Sequence, residues 1–423
     1  NYYEFYGYQK FANDIKKIID SHTKYLSGEE AKQKTYKTIK QIFSNRVIII
    51  DEVHNIRNPE SNDKSMNVKD IIKTLDLIVS IADNLRLIML TATPMYNQSS
   101  EILWILNLML KNDKRDIIKE ADVFKNNKLT KEGKQILSKK IRGYVSYMRG
   151  ENPKTFPYRI YPDINNDSSV ISQYPTNNIF GNPIQNPSYF LQLFGCEFKN
   201  YQKFIYNSVI KNLQKKQTDK LQIAEETQLM QLSNIIYPHH KKKPDIRSIY
   251  GEIGFNHCFS ISKKYTYKPD ILKKYGPFLS DAYRDNSNTI LLEKYSSKIY
   301  QLIQRIKQSE GIIYIYSQYK YSGIYPILLA LEQNGYGKYN SDPILNYPEW
   351  KQDSTQLTKS EPISYNGETY TQFMKRNKDG QPFKQGKYMV MSTDMNLSKN
   401  NNEELKELIS EKNKNGENIK III

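Results

Sequence analysis

Two short clusters carry residue types that could act on a phosphate. Asp51-Glu52-Val53-His54 follows the apolar run Arg46 to Ile50, and Thr91-Ala92-Thr93-Pro94-Met95 follows the similar run Arg86 to Leu90. Two adjacent carboxylates can divide a hydrolytic task. Asp51 is suited to hold a Mg²⁺ ion, directly or through water, with the ion bridging the β- and γ-phosphates of ATP. Glu52 is suited to orient and deprotonate the attacking water. His54 is within reach of the next loop, where the hydroxyls of Thr91 and Thr93 can hydrogen-bond His54 or Glu52.

These roles require both clusters to sit at neighbouring strand ends. Each apolar run is continuous and bounded by polar residues, the pattern of a parallel strand buried on both faces. In a parallel sheet, ligands gather at the C-terminal ends of strands. Helical spacing is expected over residues 1–45, through Phe11, Ile15, Ile18 and Ile19. It is expected again over 69–82 and from Gln98, where Ile102, Ile105, Leu106 and Met109 share a face. Residues 46–111 therefore read strand, loop, helix, strand, loop, helix, an α/β segment.

The α/β pattern returns after residue 290. A helix through Ile299, Leu302, Ile303 and Ile306 leads to a strand from Gly311 to Tyr316. A helix over 321–334, a polar insertion at 341–385, a strand at Tyr388 to Met391, a charged helix near 402–411 and a closing strand at 419–423 follow. Between the two α/β parts, residues 151–290 are irregular and then helical, with a long polar stretch at 198–234. The expected domains are thus 1–150, 151–290 and 291–423. The apolar finish at Lys420 to Ile423 and the start at Asn1 read as those of an internal piece of a longer protein.

The chain has 423 residues and a net charge of +17, with 62 Lys and Arg against 45 Asp and Glu. A basic surface attracts polyanions. The charge also follows a bias toward Lys, Asn, Ile and Tyr with little Arg, the mark of an AT-rich coding sequence, so it decides little alone. No apolar run is long enough to span a bilayer, and 12% aromatic content is too much core material for a disordered chain. Two cysteines, Cys196 and Cys258, exclude a disulfide framework.

With both clusters in place, the sequence resembles the superfamily 2 helicase and translocase ATPases. Asp51 to His54 is similar to their Walker B motif and Thr91-Ala92-Thr93 to their third motif. The extension from Leu90 to Asn97 is closest to the chromatin-remodeller-like branch. Arg149 to Pro153 with Thr155-Phe156-Pro157 resembles a segment of helicase-like proteins of large DNA viruses. Ile315 to Tyr319, with Gly323 and Leu331 to Tyr336, resembles the opening of the second RecA-like lobe in that group, which includes poxvirus-type early transcription factor and termination ATPases.

The resemblance implies two RecA-like lobes, both incomplete here, with a mostly helical insertion between them, and ATP with Mg²⁺ bound between the lobes. It implies Glu52, Asp51 and His54 as catalytic residues, Thr91 and Thr93 as coupling residues, and Ser317 and Gln318 as contacts to a nucleic-acid backbone. The implied partners are nucleic acid, duplex DNA ahead of RNA, and a viral RNA polymerase, in a virion or the cytoplasm of an infected cell.

The departures are as specific as the matches. No Gly-x-x-x-x-Gly-Lys-Ser/Thr occurs, and the arginine finger of the sixth motif is also missing. The 423 residues alone are expected to be inactive. Arg57 could contact phosphate or pair at the surface. Arg149 reads as part of a linker, and Lys241 to Lys243 as a basic loop. His239, His240, His257 and Cys258 fit no standard zinc spacing. A strand-separating helicase, a restriction or remodelling motor and a non-catalytic binding subunit are the alternatives.

Overall fold

In the computed structural model, described for residues 3–56, 66–95, 99–125, 128–147, 160, 169–184, 193–216, 221–241, 244–346, 350–352, 355–357, 361–377, 380–392, 397 and 401–423, helices and short strands alternate. The chain divides into two compact units, Asn1–Tyr158 and Arg159–Ile423. Each carries an all-parallel sheet, of two strands in the first and four in the second, which is an α/β arrangement.

In the first unit, β1 (Val47–Ile50) and β2 (Arg86–Met89) pair in parallel, with Val47 opposite Arg86 and Ile50 opposite Met89. The expected helix over 1–45 is two helices, α1 (Tyr8–Thr23) and α2 (Gly28–Phe43). Glu29 and Glu30 in the first turn of α2 suit the positive end of the helix dipole. Helix α3 (Met66–Ile81) buries Ile71, Ile72, Leu75, Ile78 and Val79 on one stripe, as its spacing predicts. These helices and the inner strand residues form one core around Ala12, Ile39, Phe43, Ile50 and Ile78. Helix α4 (Ile102–Asn112) departs from the single expected face. It gives Ile105 and Leu108 to that core, and Leu103, Leu106 and Leu110 to a second cluster with Val123 and Phe124.

The expectation that β1 and β2 are buried on both faces needs correcting. Side chains alternate across a strand. Ile48, Ile50, Leu87 and Met89 turn toward the helical core, whereas Val47, Ile49, Ile88 and Leu90 are 55%, 58%, 45% and 48% exposed. An uninterrupted apolar run predicts two covered faces, but among the described residues only one face is packed.

The second unit holds a sheet in the order β3 (Ile313–Tyr314), β6 (Ile421–Ile422), β5 (Lys387–Met389), β4 (Gly337–Lys338). Strands β3, β5 and β6 are each shorter than the run that predicts them, and β4 lies where no strand is expected. Flanking bonds extend the ladder, for example Ile315 N to Ile422 O at 2.8 Å and Met391 N to Ile423 O at 2.8 Å. The polar stretch at 198–234 splits into α5 (Asn200–Gln214) and α6 (Ile223–Asn234). Its buried Gln202 donates to Leu232 O (3.0 Å) and accepts from Ser297 N (2.9 Å), tying both helices to the start of α7 (Ser297–Gln308). Helix α7 begins with Ser296 Oγ accepting from Ile299 N at 3.0 Å, and buries Ile299, Ile303 and Ile306.

After β3 the chain makes a π-helical turn, Lys320–Ile324, and then α8 (Tyr325–Gln333), every residue of which is buried. Pro326 fits its first turn, where no amide partner is lost. The polar insertion at 341–385 contains an antiparallel pair, Trp350–Gln352 with Thr355–Leu357, and a helix at Tyr370–Arg376. Leu331 to Tyr336 packs inside the unit. Asn334 Nδ2 donates to Leu279 O (2.9 Å) and Ala330 O (2.7 Å), and Asn334 Oδ1 accepts from Asp281 N (2.8 Å). Gly335 has φ +97°, and a Cβ there would lie 2.2 Å from the main-chain oxygen of Glu361. Gly335→Ala is therefore expected to destabilise the protein by about 3 kcal/mol, read as a lower urea midpoint by circular dichroism. A midpoint within error of the parent would mean that the 361–363 backbone moves away freely.

Candidate active site

The parallel register brings the two motif clusters side by side. Leu90 N donates to Ile50 O (2.9 Å) and Val53 N donates to Leu90 O (3.1 Å), so the loop after β1 stays stitched to the end of β2. Val53 and Ile56 are buried and anchor a 3₁₀ turn at Val53–Asn55. Between β1 and that turn, Glu52 adopts left-handed backbone angles, φ 49° and ψ 49°. Such angles are uncommon for a residue with a Cβ and cost about 1–2 kcal/mol, so the surroundings must hold them.

Tyr8 supplies part of that hold. Its hydroxyl donates to Asp51 O and lies 3.1 Å from Glu52 O. Partial burial pushes the Tyr8 phenol up, a hydrogen bond with Asn55 opposes the shift, and the Asp51 and Glu52 charges reinforce it. Sequence reasoning missed Tyr8, because nothing local marks a tyrosine at a helix start as the partner of a loop 43 residues away. Tyr8→Phe is expected to lose about 1 kcal/mol of local order, so amide exchange at Val53 and Asn55 should rise about fivefold in a hydrogen-exchange measurement. Unchanged exchange would show that packing alone holds the turn.

The side chains form a connected series. His54 Nδ1 lies 3.1 Å from Glu52 Oε2 and 2.9 Å from Thr91 Oγ1, and Thr91 Oγ1 accepts from Thr93 N at 3.1 Å. An unprotonated Nδ1 would turn a lone pair onto the Glu52 carboxylate. The arrangement therefore favours a hydrogen on Nδ1, shared between Glu52 and Thr91. Glu52 is about half exposed (52%) and His54 mostly covered (21%), so the carboxylate faces solvent while the imidazole behind it is held in place.

Asp51 is exposed, and its Oδ1 accepts from Glu52 N at 3.1 Å. Among the described residues no group of three or more His, Cys, Asp or Glu side chains could hold a metal ion by itself. A single accessible carboxylate fits Mg²⁺, which commonly takes one or two carboxylates and completes its shell with phosphate oxygens and water.

The structure thus brings Glu52, His54, Thr91 and Thr93 into one hydrogen-bonded chain with Asp51 beside it. Ser317 and Gln318 lie in the second unit, just past β3, where they line a pocket. Arg57, Tyr96, Asn97, the segment from Arg149 to Pro157, Lys242 and Lys243 lie outside the described residues. His239 and His257 stack with ring centroids 4.4 Å apart, and burial lowers the pKa of both. Cys196 and Cys258 are both free thiols. Among the described residues no helix is long and apolar enough to cross a membrane.

No family model matches the chain. It is 26% identical over 384 residues to the protein named "Putative ATP-dependent RNA helicase L377" of Acanthamoeba polyphaga mimivirus, covering 81% of this chain and 30% of that protein. It is 22% identical over 379 residues to "Putative ATP-dependent RNA helicase R563" of the same virus, covering 85% of this chain and 50% of that protein. A shorter match, 28% over 156 residues, joins 36% of the chain to 14% of "Putative helicase 009L" of Frog virus 3 (isolate Goorha). The chain spans half or less of the length of each of these curated relatives. All three carry helicase names and come from viruses, which supports a viral helicase-like family for the chain.

Proposed function

We propose that the full-length protein is a nucleic-acid-dependent ATPase of superfamily 2, a DNA translocase or helicase that works in viral transcription or genome handling. The observation that carries the reading is the hydrogen-bonded chain Glu52–His54–Thr91–Thr93 across two adjacent strand ends. Glu52 orients the attacking water and takes its proton. Asp51 would hold Mg²⁺, directly or through water; when bound, the ion offsets negative charge on the phosphates. His54 keeps the Glu52 carboxylate in place and links it to Thr91. Motion of the β2 end is thereby felt at the base, and movement at the base is felt at Thr93, which couples turnover to grip on the polymer.

Catalysis of this kind is mostly positioning and charge stabilisation. The lysine that cradles phosphate and the arginine finger are supplied outside these 423 residues, and the segment alone turns over no ATP. Duplex DNA is the favoured polymer. Two of the relatives bear RNA helicase names, which makes RNA the second. The partner is a viral RNA polymerase, and the site of action is the virion or the cytoplasm of an infected cell.

The test is ATP hydrolysis by the full-length protein alone, with duplex DNA and with single-stranded RNA. Duplex-stimulated turnover supports the translocase reading. Stimulation by RNA alone moves the substrate to RNA. No turnover with any polymer overturns the enzyme reading in favour of a non-catalytic binding subunit.

A further inference from the structure

The second unit contains a pocket of about 350 Å³ just past the end of β3. Its walls come from three places in the sequence. Tyr316, Ser317 and Gln318 form the strand end, Lys298 and Ile299 start α7, and Met230, Ser233 and Asn234 end α6. The volume is at the small end of ligand pockets. The floor is apolar, with Ile299, Ile315 and Ile327, and the polar groups stand around it. The Lys298 ammonium donates to Asn234 Oδ1 at 2.7 Å. Tyr316 is 78% exposed, like Tyr314 two residues before it, so its ring is free to meet a ligand.

Two backbone features keep the pocket open. The π-helical turn at Lys320–Ile324 widens the chain beside it, and such turns are frequent at functional sites. Gly323 lets that turn close onto the strand end, since a Cβ there would come within 2.0 Å of Ser317 Oγ. Ser322 Oγ, 3.1 Å from Gln231 Oε1, fastens the same turn to α6.

We infer that this pocket takes one unstacked nucleotide of a single-stranded nucleic acid. The base stacks on the Tyr316 ring over the apolar floor, Ser317, Gln318 and Asn234 meet its polar edge, and Lys298 faces its phosphate. A planar base with one negative charge matches an apolar floor, an aromatic ring and one cation. A duplex keeps its bases stacked and offers no such face. The inference rests on the nucleic-acid reading of Ser317 and Gln318. It goes further by making α6, outside the two lobes, part of the grip and by naming the single strand as what this site holds.

The test is binding of the 423-residue chain, without ATP, to fluorescein-labelled dT₁₂, U₁₂ and a 12-base-pair duplex, followed by anisotropy. Tyr316→Ala is expected to weaken both single strands about tenfold and leave the duplex within about twofold. Tyr316→Phe, which keeps the ring, should bind like the parent. Lys298→Gln should lower the slope of log affinity against log salt by about 0.7 on the single strands. Loss in Tyr316→Phe, equal loss on single strands and duplex, no loss in Tyr316→Ala, or no single-strand binding by the parent would each overturn the inference. None of these outcomes bears on ATP turnover, so the pocket and the ATPase reading can fail separately.

Discussion

Glu52→Gln in the full-length protein is expected to lower polymer-stimulated ATP hydrolysis about a thousandfold while ATP binding persists. The substitution is nearly isosteric. The main-chain bonds from Tyr8 to Asp51 and Glu52, and the left-handed turn they support, do not depend on the carboxylate. An amide oxygen can still accept from His54 Nδ1, so Thr91 and Thr93 should keep their places. What disappears is the base that takes the proton from water. The measurement is steady-state phosphate release, with KM for ATP read alongside kcat. A fall in kcat at constant KM is the expected pattern. A variant that retains more than a tenth of the parent turnover would remove Glu52 as the base.

The second large effect concerns stability. Glu332 is fully buried, yet accepts from Ile344 N (3.0 Å), Leu345 N (2.7 Å) and Tyr388 Oη (2.5 Å). It joins α8 to β5 and to the first residues of the polar insertion. Glu332→Ala leaves two buried donors and one part-buried donor without that acceptor and should cost about 4 kcal/mol. Glu332→Gln keeps one acceptor oxygen but turns an NH₂ group toward Leu345 N, and should lose about half as much.

Burial raises the Glu332 carboxyl pKa above its ordinary 4.5, against the opposing pull of its donors. For an acid raised in the folded state, the linked stability is fully present below 4.5 and is lost as pH climbs through the higher folded value. The parent should therefore lose urea resistance with rising pH from about 4.5 upward, and both variants should lack this component. An alanine variant that falls by less than about 1 kcal/mol would show that water reaches the donors.

Much of the first unit can be read from its residues. The runs before Asp51 and Thr91 predict parallel strands, and parallel pairing in register is enough to bring His54 to Thr91. Helix α3 declares its buried stripe through its spacing. Other features are not local properties of the sequence. Tyr8 reaches its carbonyls only through the tertiary packing of α1. Apart from Arg86, the outward face of β1 and β2 carries Val47, Ile49 and Ile88 and is nearly as apolar as the inward one, so side-chain type alone is a weak guide to which is covered. Leu331 to Tyr336 carries a resemblance, but in the structure it is a knot of buried hydrogen bonds around Glu332 and Asn334. Lys298 and Asn234 are ordinary residues in a helical pattern until Gln202 draws α6 against α7.

The order of strands in the second sheet also sets the route by which it can form. Ile421 and Ile422 lie between β3 and β5, although about a hundred residues separate Ile313 from its partner Ile421. Until that late segment is threaded into the gap, β3 and β5 have no common neighbour, and their hydrogen-bonding edges stay open to any other extended chain. Sheets closed by such distant partners form slowly, and their unfinished edges invite intermolecular pairing. Assembly of this unit is thus a race between insertion of its own last strand and capture by a stranger's, and dilution or a chaperone that shields the gap favours the first.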